Sequence, residues 1–175
     1  MDKSIRASRI CLIVLLIIII ALAFIKKTVI FGGHVPSESM EDTLKVGDKV
    51  YCLRTWAYIG GIKRGDIIVF HPNGNKRKLY IKRVIGLPGD TLYSKNNKVY
   101  VNNKILVEKY TKGKKTFDLN KCTVPNNCYY VLGDNRTDSF DSRYLENPYI
   151  SIDNIEGIAV VVNRNGSKLL KRPKY

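Results

Sequence analysis

Sixteen unbroken apolar residues run from Ile10 to Ile25, with Lys3, Arg6 and Arg9 ahead of them and Lys26 and Lys27 behind. Wound as a helix, such a run is about 24 Å long, somewhat short of a hydrocarbon core of about 30 Å. The lysines at its exit can snorkel to the interface, and Thr28 to Phe31 can lengthen the apolar stretch. The basic start favours a cytoplasmic N-terminus, with everything after Lys27 outside. A cleavable secretory signal is the rival reading, since Ala21-Leu22-Ala23 is a small-x-small pattern. That pattern sits inside the run rather than after it, which favours an uncleaved anchor. The chain thus divides into a basic N-terminus (1–9), a membrane anchor (10–27) and an extracytoplasmic β-rich domain (28–175).

After residue 33 no long stretch repeats its apolar positions every 3.6 residues. Short runs rich in strand formers appear instead: Lys49 to Leu53, Asp66 to His71, Leu79 to Ile85, Tyr129 to Leu132 and Ile158 to Val162. Lys98 to Leu106 reads as a hairpin turning at Asn102-Asn103. Turn signals punctuate these runs at Gly60-Gly61, Gly65-Asp66, Asn73-Gly74 and Pro88-Gly89. The expected fold class is mostly β, a single antiparallel unit behind one transmembrane helix.

Composition adds a charge. Lys plus Arg is 30 against 15 for Asp plus Glu, a formal net charge of +15. The first 27 residues carry five of the bases and one acid, leaving +11 on the rest. Such an excess suits an anionic membrane surface or nucleic acid. Without aromatic-basic repeats or zinc-finger spacing, nucleic acid is not an expected partner. Cys122 and Cys128 bracket a Pro125-Asn126-Asn127 turn, where a disulfide and two free thiols are both feasible. No Cys/His spacing suits a metal.

The candidate chemistry lies in three segments. VPSESMEDTL, residues 35–44, holds Ser37 and Ser39, which alone read as a cap and a polar turn. The two histidines, His34 and His71, read as structural or solvated, and no GxSxG elbow is present. A lysine is the other possible base if it is desolvated, because burial lowers its pKa and leaves a neutral amine. In YIKRVIGLPGD, alternation puts Tyr80, Lys82 and Val84 on one strand face. Lys82 is therefore either buried between apolar neighbours or on the solvent face of an edge strand. LGDNRTDSFDSR, residues 132–143, reads as a turn locked by carboxylate–guanidinium pairs.

Taken in order, PSESM, RGDIIVF (64–70), YIKRVIGLPGD (80–90) and GDNRTDSFDSR (133–143) resemble the motifs of bacterial type I signal peptidases, membrane-anchored serine proteases with a Ser-Lys dyad. NIEGIAVVV, residues 154–162, resembles that family's closing strand. The resemblance implies Ser39 as nucleophile, Lys82 as general base and Ser37 in the oxyanion hole. It implies that Ser139 orients the lysine, that Asp141 and Arg143 form an ion pair beside the site, and that Asp134 and Arg136 support it. Val35, Pro36, Met40, Leu44, Tyr80 and Ile81 are its implied substrate contacts. The implied partners are the bilayer and preprotein signal peptides with small residues before the cut, and no cofactor or metal is implied. A non-catalytic scaffold that binds signal peptides is the alternative. One position departs from the pattern: Asp42 stands where the family commonly has proline. It is expected to cap the turn in a Ser39-x-x-Asp42 box, leaving a looser but active loop.

Overall fold

The computed structural model describes residues 3–55, 59–113, 115–116 and 119–175, without the helix side chains of 3–5 and 25–27. Met1, Asp2 and the side chains of the expected interfacial lysines Lys26 and Lys27 lie outside what is described. Helix α1 spans Lys3–Val29. Its apolar side chains from Ile10 to Phe24 stand exposed, none against the rest of the fold. Among the described residues this is the helix long and apolar enough to cross a membrane, and it is compatible with anchoring. The expected apolar extension through Phe31 is shorter in the structure. The helix stops at Val29, and Ile30 begins strand β1 (Ile30–His34) with no intervening linker. Two adjacent glycines, Gly32 and Gly33, disfavour further helix.

The remainder is mostly antiparallel β. The larger sheet joins β1, β2 (Lys49–Arg54), β3 (Ile67–Phe70), β4 (Tyr80–Gly86), β9 (Cys128–Leu132), β10 (Ile150–Ser151), β11 (Ile155–Asn163) and β12 (Ser167–Leu169). Its order is β1-β2-β11-β3-β4-β9-β10, with β12 added to β11. All four residues of β3 are buried, because both its faces are covered. Ile68 and Phe70 pack with Val84, Val131 and Ile158 on one side. Ile67 and Val69 pack with Val35, Met40, Leu44, Val50 and Ala159 on the other. Each such side chain contributes roughly 1.5–3 kcal/mol when fully buried. Met40 and Leu44 thereby tie the serine segment to the sheet.

A small second sheet, order β7-β6-β5-β8, comprises β5 (Thr91–Lys95), β6 (Lys98–Val101), β7 (Lys104–Ile105) and β8 (Cys122–Thr123). The expected Asn102-Asn103 turn joins β6 to β7. A second turn of the same kind, Asn96-Asn97, joins β5 to β6. All four asparagines have positive φ, as type I′ hairpins require. Cys122 and Cys128 are not bridged here, and all four cysteines are free thiols.

Candidate active site

Residues 35–44 leave β1 and enter a single turn of 3-10 helix, Glu38–Met40. Ser39 is buried there while Ser37 is exposed at the lip. Asn135 holds the turn in place: its main-chain N–H donates to Ser39 O (3.1 Å) and its Nδ2 donates to Glu38 O (3.2 Å). Lys82 lies on β4, opposite Ile68 of β3. Its Nζ is 2.7 Å from Ser39 Oγ and 3.0 Å from Ile81 O, and the residue is 4 % exposed. Lys82 is therefore buried, paired to Ile68 of β3 and covered by the Ser39 turn, although the β9 ladder begins only at Arg83. Burial lowers the Lys82 pKa to about 8, against the opposing pull of Asp141 and Asp134. With the amine charged, Nζ donates to Oγ; with it neutral, the same contact lets the Ser39 O–H donate to nitrogen. Ser37 Oγ sits 3.2 Å from Ser39 Oγ.

The loop after β9 closes the site. At Gly133 a Cβ would clash with Ser39 O and Ser139 Oγ, so only glycine permits this approach. Asp141 and Arg143 form the expected ion pair, bidentate at 2.8 Å and 2.8 Å, and Asp141 also accepts from the Gly133 N–H (2.9 Å). Asp134 and Arg136 instead reach side chains outside the loop, while Arg136 Nε also donates to Gly133 O (2.9 Å) within it. Asp134 accepts from Arg83 Nε (2.8 Å) and Nη2 (2.6 Å) and from Thr43 Oγ1 (2.5 Å). Arg136 donates to both Glu108 oxygens (2.8 and 2.5 Å) and to Thr116 Oγ1 (2.7 Å). Ser139 is buried near the site, but among the described residues its hydroxyl has no hydrogen-bond partner. A direct Ser139–Lys82 bond, the simplest form of the implied orienting role, is therefore not made.

A cleft of about 610 Å³ opens beside the pair. Val35, Pro36, Tyr80 and Ile81 line it as expected, together with Phe31, Val50, Cys52, Val69, Leu79 and Phe140. Met40 and Leu44 do not line it. They are fully buried among the aliphatic residues of the sheet, where their side chains anchor the loop. Cys52 is not a competing nucleophile, because burial pushes its thiol up to about 12 and keeps it neutral. His34 is exposed on the cleft wall. His71 is buried elsewhere, between Lys78 O (2.7 Å) and Glu156 (3.0 Å). Arg83, Thr43, Glu108, Tyr110 and Asn135 were not singled out in the sequence. Arg83, Thr43 and Asn135 lie inside the segments that carry the candidate chemistry, which is the signal that marks them, whereas Glu108 and Tyr110 lie outside all of them.

The expected cap at Asp42 is corrected. Ser39 Oγ is engaged by Lys82 and Ser37, and Asp42 reaches instead to Lys112 Nζ (2.6 Å). Glu41 (φ −57°, ψ 148°) and Asp42 (φ +86°) form a type II turn closed by Thr43 N–H donating to Met40 O (3.1 Å). Proline, with φ near −65°, cannot adopt the Asp42 conformation. Asp42→Pro is expected to destabilise the protein by about 2 kcal/mol and slow catalysis. Asp42→Gly is expected to leave both nearly unchanged, because relief at φ +86° offsets the lost exposed ion pair. Thermal melts of the two variants decide this; equal melting of Asp42→Pro and the parent would contradict the turn.

The family model described as "Signal peptidase, peptidase S26" matches residues 7–163. Signal peptidase I P of Bacillus subtilis subsp. natto is 39% identical over 140 residues, covering 73% of this chain and 75% of the relative. Signal peptidase I of Leptolyngbya laminosa is 39% identical over 153 residues, covering 81% and 74%. A crystal structure of a signal peptidase I from Enterococcus faecalis V583 superposes with a TM-score of 0.50 at 34% identity, covering 58% of this chain and 98% of that one.

Proposed function

The chain belongs to the signal peptidase family, peptidase S26, and from that premise we propose that it removes signal peptides from secretory preproteins as a Ser-Lys serine endopeptidase at the outer face of the membrane. The observation that carries this reading is the 2.7 Å approach of a buried Lys82 amine to Ser39 Oγ at the inner end of an apolar cleft. Neutral Lys82 takes the Ser39 proton as Oγ attacks the scissile carbonyl. The Ser37 hydroxyl and the Ser39 main-chain N–H stabilise the oxyanion; that N–H lies in the first turn of a 3-10 helix, where it has no partner within the helix. The lysine then passes its proton to the leaving amine, and water, deprotonated by the same lysine, releases the acyl group. Asp141–Arg143 and Arg83–Asp134 hold the two carboxylates near Lys82 in ion pairs, which limits their lift on its pKa.

The substrate geometry follows from the sheet. The ladder between β4 and β9 begins at Arg83, so Tyr80 to Lys82 present an edge to the cleft on that side. An extended peptide adding there would gain main-chain hydrogen bonds and lay alternate side chains on Val50, Val69 and Ile81. The resemblance supplies the small side chains before the cut. Because β1 follows α1 directly, the cleft lies within a strand's length of the anchor, and enzyme and preprotein meet at one bilayer. The anchor residues 10–27, an inside N-terminus and a catalytic domain over 28–175 are part of this reading.

The test is the pH dependence of kcat/KM for purified protein in detergent with a preprotein carrying an A-x-A site. Only the neutral amine is active, so the rate should rise about tenfold per unit below the midpoint, turn over near pH 8 and level off above it. A flat profile from pH 6 to 9 would rule out Lys82 as a titrating base.

A further inference from the structure

Residues 164–175 lie beyond the span the family model matches, yet they are fastened to the domain along their length. Arg164 pairs bidentately with Asp48 (2.8 and 2.5 Å). Strand β12 adds to β11, and Leu170 N–H donates to Val160 O (2.8 Å). The segment then crosses to the turn that grips β4. Arg172 Nε donates to Asp66 Oδ1 (2.7 Å), while Asp66 Oδ2 accepts from Lys63 N–H (2.8 Å), so one carboxylate joins turn and tail. Gly65 has φ +92°, and a Cβ there would meet atoms of Arg172, Pro173 and Tyr175 at 2.9–3.0 Å.

That turn holds the strand of the catalytic lysine. Gly65 N–H donates to Val84 O (2.8 Å), Val84 N–H to Asp66 O (2.8 Å), and Arg83 Nη1 to Gly65 O (2.8 Å). Tyr175 reaches the same group from another direction. The Tyr110 ring lies 4.2 Å from the Arg83 guanidinium. Tyr110 donates its hydroxyl proton to Glu108 (2.7 Å), so the 3.1 Å contact between the two phenols has Tyr175 as donor. Glu108 in turn receives Arg136 from the site-closing loop.

We infer that residues 170–175 are a strap that positions Lys82, with Arg172 and Tyr175 as positioning residues acting through the Gly65–Asp66 turn and Arg83. The inference rests on the Ser39–Lys82 reading above. The strap fixes β4 one residue from Lys82, and a 1 Å misplacement of a catalytic group lowers a rate by up to about 10²-fold. Loosening Arg83 also frees Asp134, whose charge raises the Lys82 pKa, and admits water, which does the same.

The test compares the full chain with Arg172→Gln/Tyr175→Phe, Tyr175→Phe alone and Arg172→Lys, in detergent, on one preprotein across pH 6 to 10. For the double variant kcat is expected to fall about tenfold with KM unchanged. Its pH midpoint is expected to move up by about half a unit. Tyr175→Phe, which removes a single hydrogen bond, should give a smaller shift of the same sign, and Arg172→Lys should restore most of the rate. A lower melting temperature with kcat and midpoint unmoved would overturn the strap, leaving a merely stabilising tail. A flat profile in the unaltered chain would overturn the lysine base, and the strap with it; a titrating parent with an unshifted double variant overturns the strap alone.

Discussion

Lys82→Met and Ser39→Ala should each leave a folded protein that does not process preprotein. A positioned general base contributes about 10²–10⁴ in rate, and in the proposed dyad the base and the nucleophile act as one unit. Loss of either therefore removes nearly all the covalent chemistry, and the remaining oxyanion donors act on substrate without an activated nucleophile. Met matches the length of the lysine stem and needs no proton partner. Stability gives a second readout. The Lys82 pKa is depressed in the folded state, from 10.5 to about 8, so the unfolded chain binds the extra proton between those values. The burden on folding is full below pH 8 and fades as pH rises towards 10.5. Lys82→Met should consequently melt no lower than the parent at pH 7. Inactivity together with a collapsed melt would mean the lysine is structural.

Asp134→Ala should be the most destabilising single change near the site. Asp134 and Arg83 are 0 % and 2 % exposed, and Thr43 Oγ1 shares the same carboxylate. Removing one member of a buried pair strands the other charge, at a loss of about 3–5 kcal/mol. Replacing both, as Arg83→Met/Asp134→Leu, should recover most of that stability, since the pair is largely offset by its own desolvation. Activity should not recover, because Asp134 links the strand of Lys82 to the loop of Ser39 through Thr43. Chemical denaturation of the two single variants and the double variant measures the coupling. Additive losses would show that the pair is not the clamp.

The Ser39 and Lys82 positions were legible because short motifs mark them in order. The state of Lys82 was not. Alternation gives its face but not its burial; the pairing with Ile68 and the Ser39 turn bury it, and both come from residues distant in the chain. The Asp141–Arg143 pair was legible because its members are two residues apart. The partners of Asp134 and Arg136 were not, since they lie 51 and 28 residues away. Among the strands, β1 escaped notice because Gly32 and Gly33 mask it behind the apolar helix. Strand β5 is legible in the sequence only once Asn96-Asn97 is taken as a turn like Asn102-Asn103. Spacing at Asp42 suggests a cap, whereas its φ of +86° is visible only in the folded turn.

Single-turnover processing of a preprotein by excess Lys82→Met protein at pH 8, beside the unaltered chain, puts the Ser39–Lys82 pair to its most direct test. With Lys82 as the base, no processed product forms in the time the unaltered chain needs for completion. Product appearing at the unaltered rate would contradict that pairing and require another base for Ser39.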